Sequence, residues 1–234
     1  MRFALRQAPQ GKDSFVKKEK SGSSRFYRIC YAIFAKLVGL IFRIKVVNPE
    51  NEPEEGGFFV CSNHIAASDA VIMCYAFRKH QVRLMAKKEL FKIPLLSSLI
   101  KMLGAFPVDR SGNDVGAIKR AVEMLKEDKC VGIFPQGHRY PGEDPRTTET
   151  KNGAALICVR AEADVFPIYI WTKDRKPRVF KRTYVVMGER ISFSELGYDP
   201  DGTGEYKKLT DKVFDRICTL GEGFEPPKKK GKKK

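Results

Sequence analysis

Histidine is scarce in this chain, and the spacings that give it metal chemistry are missing. The three histidines (His64, His80, His138) never stand as His-x-x-x-His, so a helical pair of metal ligands is excluded. The six cysteines (Cys30, Cys61, Cys74, Cys130, Cys158, Cys218) include no Cys-x-x-Cys pair. That leaves no structural zinc and no disulfide framework. Most of them fall in apolar runs, where a thiol packs as a small hydrophobe, and the usage fits a reducing, cytosolic-side compartment. There is no Gly-x-Ser-x-Gly elbow, so a serine-hydrolase mechanism lacks its nucleophile. Neither Gly-x-x-x-x-Gly-Lys nor Gly-x-Gly-x-x-Gly occurs, which excludes the phosphate-cradling and dinucleotide-binding loops.

A long hydrophobic run is also missing. The most apolar stretch, 29–42, is 14 residues long and is broken by Lys36. A bilayer-spanning helix needs about 20 apolar residues, and no small-residue cleavage site follows to mark a signal peptide. Arg25, Arg28, Arg43 and Lys45 flank the stretch. Basic flanks around a short apolar helix fit a segment lying in an anionic interface; the plain alternative is an amphipathic helix packed on the core.

Acidic residues number 28 against 44 Lys and Arg, a formal +16. Residues 1–45 hold 11 of the cations against Asp13 and Glu19, and 228–234 adds six lysines. Residues 46–227 are left with a net charge of only +1. A nucleic-acid-binding domain more often carries a basic face on its body and a reading module, and neither is present here. Basic ends suit an anionic membrane surface instead, where each Lys contributes about 1 kcal/mol. The organisation expected is a basic segment 1–24, a membrane-associating helix 25–45, a folded domain 46–222 and a polybasic tail 223–234.

Within the domain, short apolar runs alternate with helical periodicity. Strands are expected at 58–61, 82–86, 105–108, 130–134 and 165–170, with antiparallel edge strands at 184–188 and 191–193. Helices are expected at 69–77, 89–103, 114–127, 153–163 and 205–220. In the third, Val115, Ile118, Val122 and Leu125 make the core-facing stripe; in the last, Leu209, Val213, Ile217 and Leu220 do, with a stop at Gly221. Such alternation predicts an α/β fold with a mostly parallel sheet flanked by helices, whose sites form beyond the carboxyl ends of the strands.

His64 and Asp69 are the most informative pair. They follow the apolar run 58–61, five positions apart. On one straight helix that offset separates side chains by roughly 140°. They meet only if His64 lies in the turn before a helix and Asp69 in its first turn, with Ser68 as N-cap. A histidine oriented by an acid is poised as a general base. A turn cap and a decorated helix start remain the plain alternative on spacing alone. His80, behind Arg78-Lys79, is expected at the surface. His138 competes as a base or a phosphate donor.

Two further loops carry arginines at strand ends: Gly104-Ala105-Phe106-Pro107-Val108-Asp109-Arg110 and Phe134-Pro135-Gln136-Gly137-His138-Arg139. Arginine offers phosphate a rigid fork of donors, and Gly137 allows close backbone approach. Salt bridging for Arg110 and simple exposure for Arg139 are the alternatives.

Taken in order, Asn63-His64 with Asp69, Ala86-Lys87-Lys88-Glu89-Leu90, Gly104 to Arg110, Phe134-Pro135 with Gly137 and Arg139, and Val165-Phe166-Pro167-Ile168 form a series. This series resembles the glycerophospholipid acyltransferases, specifically the 1-acyl-sn-glycerol-3-phosphate acyltransferases, over about 58–170. The resemblance implies that His64 is the general base and Asp69 its orienting acid. It implies that Arg110 and Arg139, with Lys87 and the close approach at Gly137, hold the acceptor's phosphate. Lys151-Asn152-Gly153 resembles a basic-glycine element that follows. The substrates implied are lysophosphatidate and an acyl-CoA or acyl carrier protein thioester, acylated at the sn-2 hydroxyl to give phosphatidate. No metal or organic cofactor is needed. The implied place is the cytoplasmic face of a membrane, peripheral or monotopic. Glycerol-3-phosphate or another lysolipid as acceptor, and a non-catalytic module binding anionic lipid, are the rival readings. Where such sequences commonly read Phe-Pro-Glu-Gly-Thr-Arg-Ser, this chain has Gln136, His138 and Tyr140, which leaves the acceptor open.

Overall fold

The computed structural model describes residues 36–109 and 115–227. Seven strands build one sheet: β1 Ile44–Val47, β2 Phe59–Ser62, β3 Arg83–Lys87, β4 Phe106–Val108, β5 Val131–Ile133, β6 Val165–Trp171 and β7 Thr183–Met187. Their order is β1-β7-β6-β2-β5-β3-β4, and only the β6–β7 pair is antiparallel. The helices are α1 Asp69–Ala76, α2 Pro94–Met102, α3 Val115–Lys126, α4 Gly153–Ala161 and α5 Glu205–Glu222. The expected α/β architecture is present, and β2 lies at its centre.

Alternation along the strands divides the core in two. Phe58 and Val60 face one side with Ile72 and Met73 of α1 and Val38 of the helical stretch 36–42. Phe59 and Cys61 face the other, with Ala121 of α3, Ile157 of α4 and Ile217 of α5. All four residues of β2 are buried, as a central parallel strand with both faces covered requires. β5 crosses under α1 closely at Gly132. A Cβ there would stand 2.6 Å from both Leu84 Cδ2 and Met73 Sδ, so any larger residue would have to displace those side chains.

Several expectations need correction. β7 is not an edge strand: Ile44-Lys45-Val46-Val47, whose first two residues were expected to end the N-terminal helix, pairs along it in parallel. Three β-branched residues, Ile44, Val46 and Val47, were the available signal, and the chain turns into the strand at Arg43 (φ 44°). Residues 191–193 contribute a single bridge, Val165 to Ile191. The helix expected at 89–103 breaks into a 3₁₀ turn, Lys88–Lys92, and α2, because Pro94 cannot continue a helix through its own interior but suits a first turn. The stripe of α3 is rotated by one position. Ala117, Ala121 and Leu125 are buried, whereas Val115 is 64% exposed. Gly221 does not stop α5, which runs to Glu222; a Cβ at Gly221 would run into the Tyr169 ring. His80 is buried, not at the surface, against Glu52 and edge-on to Phe58.

Candidate active site

β2 ends in Ser62, and Asn63 carries on its pairing with side-chain atoms. Its amide donates to Ile170 O at 3.1 Å and accepts from Ile170 N at 2.8 Å. This reciprocal pair fixes where the chain leaves the sheet, and His64 is the next residue. The ring of His64 lies flat on Phe134, with centroids 4.0 Å apart and planes 12° apart. Its backbone is held from two sides: N–H donates to Gln136 Oε1 at 2.6 Å, and C=O accepts from Tyr140 N at 2.9 Å.

Asp69 opens α1 and reaches back over the turn. A single oxygen, Oδ2, accepts from Ile65 N at 2.6 Å, from Ala66 N at 2.7 Å and from His64 Nδ1 at 2.8 Å. The two residues meet as expected, His64 in the turn and Asp69 in the first helical turn. Ser68 stands at the N-cap position, but its side chain makes no cap bond. The carboxylate of Asp69 instead satisfies the N–H groups of Ile65 and Ala66 in the turn before the helix. Asp69 is fully buried, and its Oδ1 has no partner among the described residues. With two N–H groups already donating to Oδ2, the carboxylate is an acceptor for Nδ1–H. That assigns the ring proton to Nδ1 and leaves the Nε2 lone pair free.

His64 opens onto a pocket of about 340 Å³ at the carboxyl ends of β2, β3, β4 and β5. Its walls include Leu84, Met85, Val108, Ile118, Ile133 and Ile157, so the interior is mainly apolar. Its polar lining comes from Asp109, Gly137, His138, Lys151 and the first residues of α4. Gly137 has φ 69°, a conformation that side chains disfavour, and Lys151 N–H donates to Pro135 O at 2.8 Å. The 134–139 loop and the 151–153 segment are thereby one unit.

The other expected site residues are placed as follows. Arg139 is exposed and has no ion pair among the described residues. Lys87 ends β3 at the same end of the sheet, faces Glu89 at 3.8 Å and is not part of the pocket wall. Arg110 lies outside the described residues. The thiols supply no rival nucleophile: all five described cysteines are buried, and burial pushes Cys74, Cys130 and Cys158 up to about 12. Sequence reasoning missed two supports of the site, the Gln136 amide beneath His64 and the Phe134 ring against it. The flanking Phe134-Pro135-Gln136 run sat in view, but contact across 72 positions is set by the β2–β5 pairing.

The acyltransferase family model matches residues 43–171. The chain belongs to the acyltransferase family. It is 30% identical over 196 residues to a Bacillus subtilis protein named 1-acyl-sn-glycerol-3-phosphate acyltransferase, spanning 83% of this chain and 96% of that one. A Streptococcus pneumoniae protein of the same name is 34% identical over 166 residues, 70% of this chain and 58% of its own length. The fold is also that of the 1-acyl-sn-glycerophosphate acyltransferase PlsC from Thermotoga maritima, with a TM-score of 0.65 at 21% identity, covering 86% of this chain and 81% of that one. In this acyltransferase the resemblance carried by the five motifs is thus upheld, and its His64–Asp69 pair and pocket lie inside the matched region.

Proposed function

We propose that this acyltransferase moves a fatty acyl group from a thioester to the sn-2 hydroxyl of lysophosphatidate, giving phosphatidate. The observation that carries the reading is the Asp69-oriented imidazole lining a mainly apolar pocket that Lys151 and the amino end of α4 also line. Nε2 of His64 takes the hydroxyl proton as the oxygen attacks the thioester carbonyl. The C–S bond breaks on collapse of the tetrahedral adduct, and the departing thiolate takes the proton back from the imidazolium. No acyl-enzyme forms. Asp69 keeps the proton on Nδ1 and stabilises the imidazolium between the two transfers.

The acceptor's phosphate is anchored by Arg139, Lys151 and the amino end of α4, where backbone N–H groups and the helix dipole favour an anion. Arg110 joins them on the strength of its motif. The apolar walls suit an acyl chain. Supporting this acceptor are the names of the Bacillus subtilis and Streptococcus pneumoniae relatives; coenzyme A and acyl carrier protein both present the thioester this chemistry needs. The working position is a peripheral or monotopic one on the cytoplasmic face of an anionic membrane. Among the described residues, no helix is long and apolar enough to cross a bilayer.

The test is to supply lysophosphatidate, glycerol-3-phosphate and neutral monoacylglycerol in turn with each donor, and to identify the product lipid. Phosphatidate from lysophosphatidate is the expected result. Product from glycerol-3-phosphate alone would replace this acceptor.

A further inference from the structure

The near-neutral body of the chain hides one concentrated exception. Residues 173–182, Lys-Asp-Arg-Lys-Pro-Arg-Val-Phe-Lys-Arg, hold six cations against Asp174. They join β6 to β7 and are exposed throughout except for a half-buried Pro177. Arg175 pairs with Asp144 at 2.7 Å and Arg178 with Asp174 at 3.5 Å. Lys173, Lys176, Lys181 and Arg182 have no ion pair among the described residues.

Phe180 stands in the middle of these charges and is 64% exposed, with φ 61°. A bulky side chain seldom takes left-handed backbone, and it persists there only where its surroundings hold it. The hold is a hydrogen bond from Phe180 N–H to Ile41 O at 2.6 Å, which ties the hairpin to the helical stretch 36–42. Leu40 on that stretch is 69% exposed, Leu37 59% and neighbouring Val179 54%. Leu40 and Phe180 line one concavity together with Arg43, Lys45 and Arg182. The result is an apolar cluster ringed by cations, formed from two segments far apart in sequence.

Sheet register puts this cluster at the catalytic end. Trp171 pairs with Tyr184 and Ile44 with Thr183, so hairpin and helix end both lie beyond the carboxyl end of β6. Asn63, beside His64, bonds to Ile170 in that strand. The last described residues lie on the same side. Phe224 packs on Trp171 at 5.6 Å and Tyr184 at 5.1 Å, and Pro226 and Pro227 line a basic cleft of about 800 Å³ beside the hairpin. Six lysines follow directly in the sequence.

We propose that the 173–182 hairpin is a bilayer-contact element of its own, with an anionic lipid surface as its partner. Phe180, Val179, Leu40 and Leu37 enter the headgroup–acyl boundary. Lys173, Lys176, Lys181 and Arg182 reach up their apolar stems to lipid phosphates. Seated so, the protein presents the end of the sheet that bears His64 to the membrane that holds its acceptor. This placement rests on the acceptor being a membrane lipid. The charge complementarity is specific to an anionic leaflet, because a neutral one offers the cations nothing.

The full chain is floated with vesicles of phosphatidylcholine alone and of phosphatidylcholine mixed with phosphatidylglycerol, as wild type, Phe180→Ser and K176E/K181E. Each basic group near an anionic surface changes partition by roughly fivefold, so the double charge reversal lowers binding to the anionic vesicles tenfold or more. Phe180→Ser lowers it several-fold. Both variants keep the wild-type circular dichroism and keep transfer to a short-chain lysophosphatidate dispersed as monomers. Wild-type partition in both variants would overturn the proposal, as would tighter binding to a single-stranded oligonucleotide than to the anionic vesicles. A wild type that makes no phosphatidate in either presentation contradicts the enzymatic reading instead, and partition still decides the surface.

Discussion

The backbone N–H of His64 donates to Gln136 Oε1 at 2.6 Å, and Nε2 of the same amide donates to Thr148 Oγ1 at 2.7 Å. Thr148 in turn donates to Pro145 O at 2.7 Å. An amide suits this position because it accepts at one end and donates at the other. A carboxylate would meet Thr148 with an acceptor only, unless the hydroxyl turned away from Pro145. The departure at Gln136 from the usual motif therefore comes with its own partner. Replacing Gln136 by Ala strands a buried N–H, and the expected loss is about 1–3 kcal/mol of stability, with slower transfer. Urea midpoints measure the first and initial rates the second; wild-type values in both would show that the His64 loop does not depend on this amide.

Asp69→Asn separates holding the turn from holding the charge. An amide oxygen can still accept from Ile65 and Ala66 N–H, so the fold survives with modest destabilisation. It carries no charge to stabilise an imidazolium, and its NH₂ falls where the unpartnered Oδ1 of Asp69 stood. Transfer is expected to fall about 10²- to 10⁴-fold. A variant of equal stability and undiminished kcat would remove Asp69 from the mechanism.

How much of this was legible in the sequence depended on how local the feature is. His64 and Asp69 lie in one turn, so their spacing alone set the only geometry in which they could meet. The apolar run 58–61 announced a buried central strand. What escaped was long-range: β1 beside β7, Gln136 beneath His64, and Glu52 receiving His80. Each is created by strand pairing or packing between distant segments, which leaves no periodic mark. The hairpin charge escaped for a different reason, because the net charge of 46–227 averages a basic cluster against scattered acids.

Arg139 is exposed and without an ion pair among the described residues, so its removal costs the fold little. A charge-assisted hydrogen bond to phosphate contributes about 1.5–3 kcal/mol. Arg139→Ala should therefore raise KM for lysophosphatidate about tenfold or more, with unchanged thermal stability. An unchanged KM would take Arg139 out of the phosphate site.

Glu52 supplies a pH test of the scaffold. Burial tends to raise its pKa, but hydrogen bonds from His80 and the N–H groups of Arg78 and Lys79 outweigh this and hold the carboxyl below its ordinary 4.5. A depressed native pKa contributes stability that is present above the unfolded value and lost as pH falls through the native one. Denaturation midpoints should therefore fall as pH drops below about 4.5, and Glu52→Gln should flatten that decline while lowering stability near neutral pH. A variant whose acid limb matches that of the wild type would contradict this.

The central claim is that Nε2 of His64 removes the proton from the acceptor hydroxyl. It is tested most directly by His64→Ala, measuring phosphatidate formation from lysophosphatidate alongside partition onto anionic vesicles. The account predicts transfer reduced by about 10²-fold or more with partition intact. Transfer at the wild-type rate in a folded, vesicle-bound His64→Ala protein would contradict it.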